Sequence, residues 1–330
     1  MSHGEPLPRT VPPTAGPLAS AAVSSASSCR LPSCTIAVVG DVHNAWEHED
    51  ELALQHLGVD LVLLVGDFGN EAVEVVRAIA QMSLPKAVIL GNHDAWYSAT
   101  DWGRKLRKGS VHEDRVQQQL DLLGASHVGY GKLDLPALGL TVVGSRPFSW
   151  GGPIWKHGAF YRQRYDIDSF EASTGRIMEF VKQAAHETLI FIGHCGPAGL
   201  GAQPDDPCGK DWEPLGGDHG DPDFAAAIAQ AQLLGKRVPL VAFGHMHHQL
   251  RYTKARLRRA VDVQLETLYL NAASVPRILQ TDRGRLRNFS LVTLEEGVVT
   301  QASLVWVQDD FTVCSQQVLY QTSQPVLASS

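Results

Sequence analysis

The chain has 330 residues, 44% of them hydrophobic and 19% charged, with a formal net charge of −7. This describes a globular protein with enough chain for one large domain or two small ones. A nucleic-acid backbone is disfavoured as the main partner, and no apolar run approaches the ~20 residues of a membrane span.

Residues 1–34 are rich in Ser, Ala and Pro, and Glu5 is their only acidic residue. No helical or strand period is visible, so the segment cannot build a core. It reads as a disordered extension or a transit peptide, because acid-poor, Ser-rich composition is typical of organelle targeting. The expected organisation is an extension over 1–34, one domain over 35–310 and a flexible polar tail over 311–330. A chloroplast address is expected, with a cytoplasmic location as the alternative.

From residue 35 the pattern alternates. An apolar strand over 35–40 precedes a helix over 47–57. A strand over 61–65 precedes a helix over 71–82, whose apolar residues Val73, Val76, Ile79 and Ala80 have helical spacing. A strand over 87–90 follows, then a helix over 113–123 closed by Gly124, then a strand over 140–143. Residues 145–168 read as an irregular insertion with interleaved aromatic and basic residues. A helix over 169–185, a strand over 189–192, a long Gly/Pro/Asp loop over 195–222, a helix over 223–234 and a strand over 240–243 complete this region. Apolar strands alternating with helices indicate βαβ units in a sheet covered on both faces. Beyond residue 247 the pattern changes to a strand over 267–270 and an antiparallel hairpin of 288–294 with 297–307.

The five cysteines are scattered and form no CxxC pair, which suits a reducing compartment and argues against a zinc–thiolate site. Cys195 adjoins His194, but neighbours on an extended segment point to opposite faces, so a thiol nucleophile is disfavoured.

The strand ends carry the chemistry. Five apolar runs end in Gly followed by Asp, Asn or His, which places Asp41, His43, Asp67, Asn92, His194, His245 and His247 at carboxyl ends of strands. Ligands of open α/β sheets bind there. Carboxylate and imidazole donors without thiolate suit Mn, Fe or Zn. Seven such donors exceed one tetrahedral site and match two metals sharing a carboxylate, an arrangement used in phosphoryl hydrolysis.

The blocks Asp41-Val42-His43, Gly66-Asp67, Gly91-Asn92-His93-Asp94, Gly193-His194 and Gly244-His245-Met246-His247 stand intact and in order. In this the sequence resembles the calcineurin-like metallophosphoesterases, over about residues 35–307. The overall look is closest to a branch from photosynthetic lineages, which fits a plastid-type presequence. The resemblance implies an α/β sandwich of two mixed sheets flanked by helices. It implies one metal held by Asp41, His43, Asp67 and His247, and another by Asp67, Asn92, His194 and His245. It implies a hydroxide between the metals as in-line nucleophile, His93 serving the leaving oxygen or the transition-state charge, and Asp94 orienting His93.

The phosphoprotein-phosphatase version of the Gly66-Asp67 block, with its phosphate-clamping Arg, is absent, and Asn44 stands where many members have Gly. Arg146, just past the strand over 140–143, is the candidate substrate phosphate contact, together with Asn92. Trp150, Trp155, Lys156, Tyr161, Arg162 and Arg164 of the insertion form a candidate pocket cap. His48, His219 and His248 read as polar surface, and the basic stretch 251–259 as a solvated face. The expected activity is hydrolysis of a small phosphodiester or nucleotide-type pyrophosphate, with no protein partner inferable. The alternatives are a phosphomonoesterase or a silent metal-binding scaffold.

Overall fold

The structure, a computed structural model, describes residue 1 and residues 31–106, 113–282 and 284–322. The chain divides into two units, Met1–Arg30 and Leu31–Ser330. Apart from residue 1, everything described here belongs to the second. The extension expected over 1–34 therefore lies largely outside the described residues.

Among the described residues two sheets stack face to face. The first contains β1 (Cys34–Val39), β2 (Leu61–Leu64) and β3 (Lys86–Val88), all parallel. Between β2 and its neighbours in sequence lie α1 (His48–His56) and α2 (Val73–Gln81), and α3 (Trp96–Ala99), α4 (Asp101–Leu106) and α5 (Arg115–Leu123) follow β3. The second sheet opens with β4 (Lys132–Leu135) antiparallel to β5 (Leu140–Gly144). After α6 (Gly158–Tyr165) and α7 (Phe170–Lys182), it continues with β6 (Thr188–Ile192). Past α8 (Pro222–Leu233) come β7 (Arg237–Phe243), β8 (Val261–Gln264) and β9 (Thr267–Asn271). The order is β4-β5-β6-β7-β9-β8, with β5, β6, β7 and β9 parallel. The chain then returns to the first sheet with β10 (Ile278–Thr281), β11 (Gly284–Glu295), β12 (Val298–Val307) and β13 (Val313–Gln321), giving β13-β12-β11-β1-β2-β3 with β10 on β11.

The period-2 alternation of strands sorts the apolar residues into three layers. Ile36, Val38, Leu61, Leu63, Ile190, Ile192, Leu240 and Ala242 fill the space between the sheets. Their neighbours Ala37, Val39, Val62 and Leu64 pack outward on Leu54, Val76, Ile79 and Val116 of the helices. On the other side, Leu189, Phe191, Val241 and Phe243 meet Ile177, Val181, Phe224 and Ala231. Both faces of each central strand are buried, which is why these strands read as unbroken apolar runs. Helix starts follow local chemistry: Ser169 caps α7 by accepting from the Ala172 N–H, Asp114 caps α5, and Pro222 opens α8.

Several elements depart from the sequence reading. The helix expected over 71–82 begins only at Val73, because Glu71 has φ +51°, outside the right-handed helical region. The insertion 145–168 contains α6. Residues 313–321, expected as part of a flexible tail, form β13 antiparallel to β12; most of the strand is exposed, so its apolar signal is weak. Residues 323–330 lie outside the described residues. Arg258, expected on a solvated face, is buried and donates to the carbonyls of Pro204, Asp206 and Gly209. No helix among the described residues is long and apolar enough to cross a membrane.

Candidate metal centre

The carboxyl ends of β1, β2, β3, β6 and β7 converge, and each delivers its ligand on a tight turn. Asp41, His43, Asp67 and His245 all have positive φ (52°, 45°, 57° and 67°). Asp, Asn and His tolerate the left-handed region better than bulkier residues, yet this conformation persists only when the surroundings impose it. Here neighbouring turns bond to one another. The Asp41 N–H donates to Gly66 O, the His43 N–H to Asp67 O, and the Gly244 N–H to His194 O.

Two clusters result. Asp41, His43 and His247 present ligand atoms within 4.8 Å of one another, and so do Asp67, His194 and His245. In the first, His247 Nε2 lies 3.2 Å from both His43 Nε2 and Asp41 Oδ1. In the second, His194 Nε2 lies 3.2 Å from Asp67 Oδ1 and from His245 Nδ1, and Asn92 Oδ1 is 2.9 Å from both imidazoles. The other nitrogen of His194, Nδ1, donates to Val65 O at 2.8 Å, which leaves the Nε2 lone pair for the cluster.

These residues fit divalent ions. Asp41 Oδ1 is buried, with the His247 ring nitrogen at 3.2 Å and, among the described residues, no backbone N–H donating to it. Ring nitrogens of two histidines face each other in both clusters, an arrangement that neutral lone pairs disfavour and a cation between them would stabilise. Burial opposes charge on Asp67, yet the facing His194 holds its carboxyl below the ordinary range. Burial likewise disfavours the His194 cation, and Asp67 overrides this to push the imidazole up to about 9.

The glycines of the motifs are steric requirements. A Cβ at Gly91 would collide with Asp67 Oδ1 and lie 2.6 Å from His194 Nδ1, and one at Gly244 would collide with Asp41 Oδ2. Gly91→Ala is therefore expected to weaken metal binding at least about tenfold, by displacing a ligand oxygen. Metal titration of the purified variant checks this; binding equal to the parent would show that the turn absorbs the methyl group.

Asp94 does not orient His93. Its carboxylate accepts three backbone N–H groups, from Gly91 at 2.7 Å, Phe68 at 2.9 Å and Asp67 at 3.0 Å. It ties the turn after β2 to the turn after β3. The partner of the His93 ring is Asn70, whose Oδ1 lies 2.6 Å from Nδ1, and Trp96 stacks on the ring at 4.8 Å and 15°. His93 Nε2 is left facing Asp67 Oδ2 at 3.9 Å. Asn70 stands three residues after Asp67, outside the motif blocks, and nothing in its sequence position reveals that its amide meets an imidazole 23 residues later.

Arg146 does sit at the end of β5, but it is not free to hold a phosphate. Its guanidinium is buried and pairs with Asp221 at 2.7 Å and Asp223 at 2.8 Å, beneath the rings of Trp155 and Tyr161. Of the insertion's other aromatics, Trp150 stacks on Trp96 at 5.2 Å and so reaches the His93 side of the centre. His48 is exposed; His248 is buried, with Nε2 on Asn271 O; His219 lies parallel to His245 at 6.2 Å. The Cys195 thiol is buried, which pushes its pKa well above the ordinary thiol range.

A family model described as calcineurin-like phosphoesterase matches residues 34–249. Among solved structures, a dimetal phosphatase from Danio rerio is similar at 13% identity over 88% of this chain and 99% of that one, with a TM-score of 0.43. The protein TT1561 of Thermus thermophilus is similar at 12% identity over 88% and 100%, with a TM-score of 0.45. A metallophosphoesterase from Sphaerobacter thermophilus is similar at 16% identity over 79% and 84%, with a TM-score of 0.32. No curated protein matches the sequence significantly. The match over residues 34–249 takes in β1 through the strand end that bears His245 and His247, and hence both ligand clusters: the chain belongs to the calcineurin-like phosphoesterase family.

Proposed function

We propose that this chain is a dinuclear metal-dependent hydrolase of phosphodiesters or nucleotide-type pyrophosphates. The observation that carries the reading is the pair of ligand clusters built on neighbouring strand ends, with His93 facing Asp67 beside them. Asp41, His43, Asp67 and His247 would hold one ion, and Asp67, Asn92, His194 and His245 the other, with Asp67 shared. Two divalent ions there supply positive charge for the phosphoryl oxygens and lower the pKa of a bound water. Nitrogen and oxygen donors suit Mn, Fe or Zn.

The chain's own groups do the rest. A water that has lost one proton to solvent would bond through its oxygen to phosphorus as the bond to the leaving oxygen breaks in line. The acceptor oxygen of Asn70 keeps a hydrogen on His93 Nδ1 and turns Nε2 to the centre, where it would donate to the leaving oxygen from the cationic ring, whose formation burial opposes. Asn92 Oδ1 is within reach of both imidazoles of its cluster, and its Nδ2 would be the donor to a phosphoryl oxygen. Asp94 keeps the turns that carry Asp67 and His93 in register.

Metal analysis should give close to two transition ions per chain, and a screen of aryl diesters, monoesters and nucleotide pyrophosphates with Mn should give turnover on the first or third. Fewer than one ion per chain, or no turnover on any substrate, would overturn the reading. Asn70→Ala is expected to lower kcat about tenfold with metal content unchanged, since it frees the His93 ring. Loss of metal in that variant would make Asn70 a support of the ligand shell instead.

A further inference from the structure

We infer that Arg251, with the wall of Trp212 and His219 that leads to it from the metal centre, is a subsite for a second anionic group of the substrate. The substrate class is then a nucleotide-type pyrophosphate in preference to a simple diester. This deepens the hydrolase reading and rests on it.

The wall is continuous. The His219 ring lies 6.2 Å from that of the ligand His245 and within 10° of parallel. Trp212 meets His219 edge-on at 4.8 Å. The Arg251 guanidinium carbon sits 5.2 Å from the Trp212 ring centroid. Arg251 follows His247 by four residues, on the loop after β7. The loop over 195–222 thus carries the rings, and the loop after β7 carries both the ligand and the cation.

The backbone under Arg251 is fixed while its charge is left free. Its N–H donates to Asp211 Oδ2 at 3.0 Å, and the buried Asp211 carboxylate is paired with Arg258 at 3.2 Å. The other arginines of this stretch are also matched, Arg256 with Asp205 and Arg259 with Asp206. Among the described residues, no such ion pair engages Arg251, whose side chain is exposed. Pre-organisation over a ring and an unneutralised charge at the end of the wall that starts at His245 are what an anion subsite needs, because little side-chain entropy is lost on binding. Two ions can neutralise only the phosphate under attack. A second phosphate needs a cation of its own, and an exposed guanidinium can supply it through paired N–H donors.

The test uses the Mn-loaded full chain with the α,β-methylene analogue of ADP, which cannot be hydrolysed, and with inorganic phosphate, each titrated by calorimetry. The parent should bind the analogue more tightly than phosphate. Arg251→Gln should weaken the analogue about tenfold or more while phosphate binding changes little, and Arg251→Lys should recover part of the loss. Arg256→Gln, which removes a guanidinium already paired with Asp205, should behave as the parent. In turnover, Arg251→Gln should raise KM for diadenosine pyrophosphate far more than for an aryl diester. Equal weakening of analogue and phosphate, or weakening of neither, would overturn the subsite. A parent that hydrolyses nothing overturns the hydrolase reading alone, and the binding arm still decides the subsite.

Discussion

Asp67→Asn is expected to cut hydrolysis of an aryl phosphodiester by at least about a thousandfold while the protein stays folded. The carboxylate is buried and faces His194 Nε2 at 3.2 Å, and its Oδ1 also accepts the His93 N–H at 2.9 Å. An amide of the same shape keeps a carbonyl for that N–H. It removes the negative charge that an ion on this side of the centre requires, and it turns an NH2 group towards a ligand. Several kcal/mol of metal and transition-state stabilisation depend on that charge, and each ~1.36 kcal/mol is about a decade in rate. Metal content and thermal unfolding measured on the same preparation separate the outcomes. A folded variant with fewer ions and no turnover is the expected result, and retained turnover would remove Asp67 from the mechanism.

Arg146→Met should cost about 3–5 kcal/mol of stability, the largest effect expected of any substitution outside the ligand shell. The guanidinium is the counter-charge of two buried carboxylates, Asp221 and Asp223, and Asp221 also accepts the Ser149 hydroxyl at 2.7 Å. Asp223 accepts from Ser173 on α7, so one cation joins the end of β5 to α7 and the start of α8. Burial already pushes the Asp221 carboxyl up to about 6, with Arg146 opposing it. Without the arginine the Asp221 carboxyl moves further up. The folded state then binds protons that the unfolded chain, with Asp near its ordinary value, does not, so stability falls as pH rises. The deficit should therefore be larger at pH 8 than at pH 5, on the two sides of the raised value of about 6. Urea unfolding at the two pH values checks both statements. A variant with parental stability and a raised KM would instead restore Arg146 as a phosphate contact.

These two residues also mark how far the sequence could be read. Asp67 follows a run of apolar residues and a glycine, and its place at a strand end is a consequence of local pattern alone. Arg146 has the same kind of position, just beyond β5, and the pattern puts it at the same edge. Where its side chain goes depends on Asp221 and Asp223, 75 and 77 residues later, whose burial no local pattern announces. Asp94 shows the same limit. Its spacing from His93 suggests a partner for the ring, but three backbone N–H groups in two turns claim both of its oxygens. Strand β13 escapes the sequence pattern for a different reason: as a largely exposed edge strand it carries too few apolar residues to stand out from a polar tail.

What the sequence determined by itself is the set of candidate ligands and the frame that presents them. Apolar runs buried on both faces must be central strands, and glycine followed by Asp, Asn or His marks the turns where a parallel sheet exposes its carboxyl edge. Residue type fixes the donor chemistry, and the order of the blocks fixes the family. Tertiary structure alone decided which charged side chains are neutralised inside and which remain open: Arg146 and Arg258 are matched by buried carboxylates, while Arg251, in the same basic stretch as Arg258, is not. The physical reason is that a strand's register and periodicity are local, whereas the cost of burying a charge is met by whichever group the fold brings within a few ångströms, at any distance along the chain.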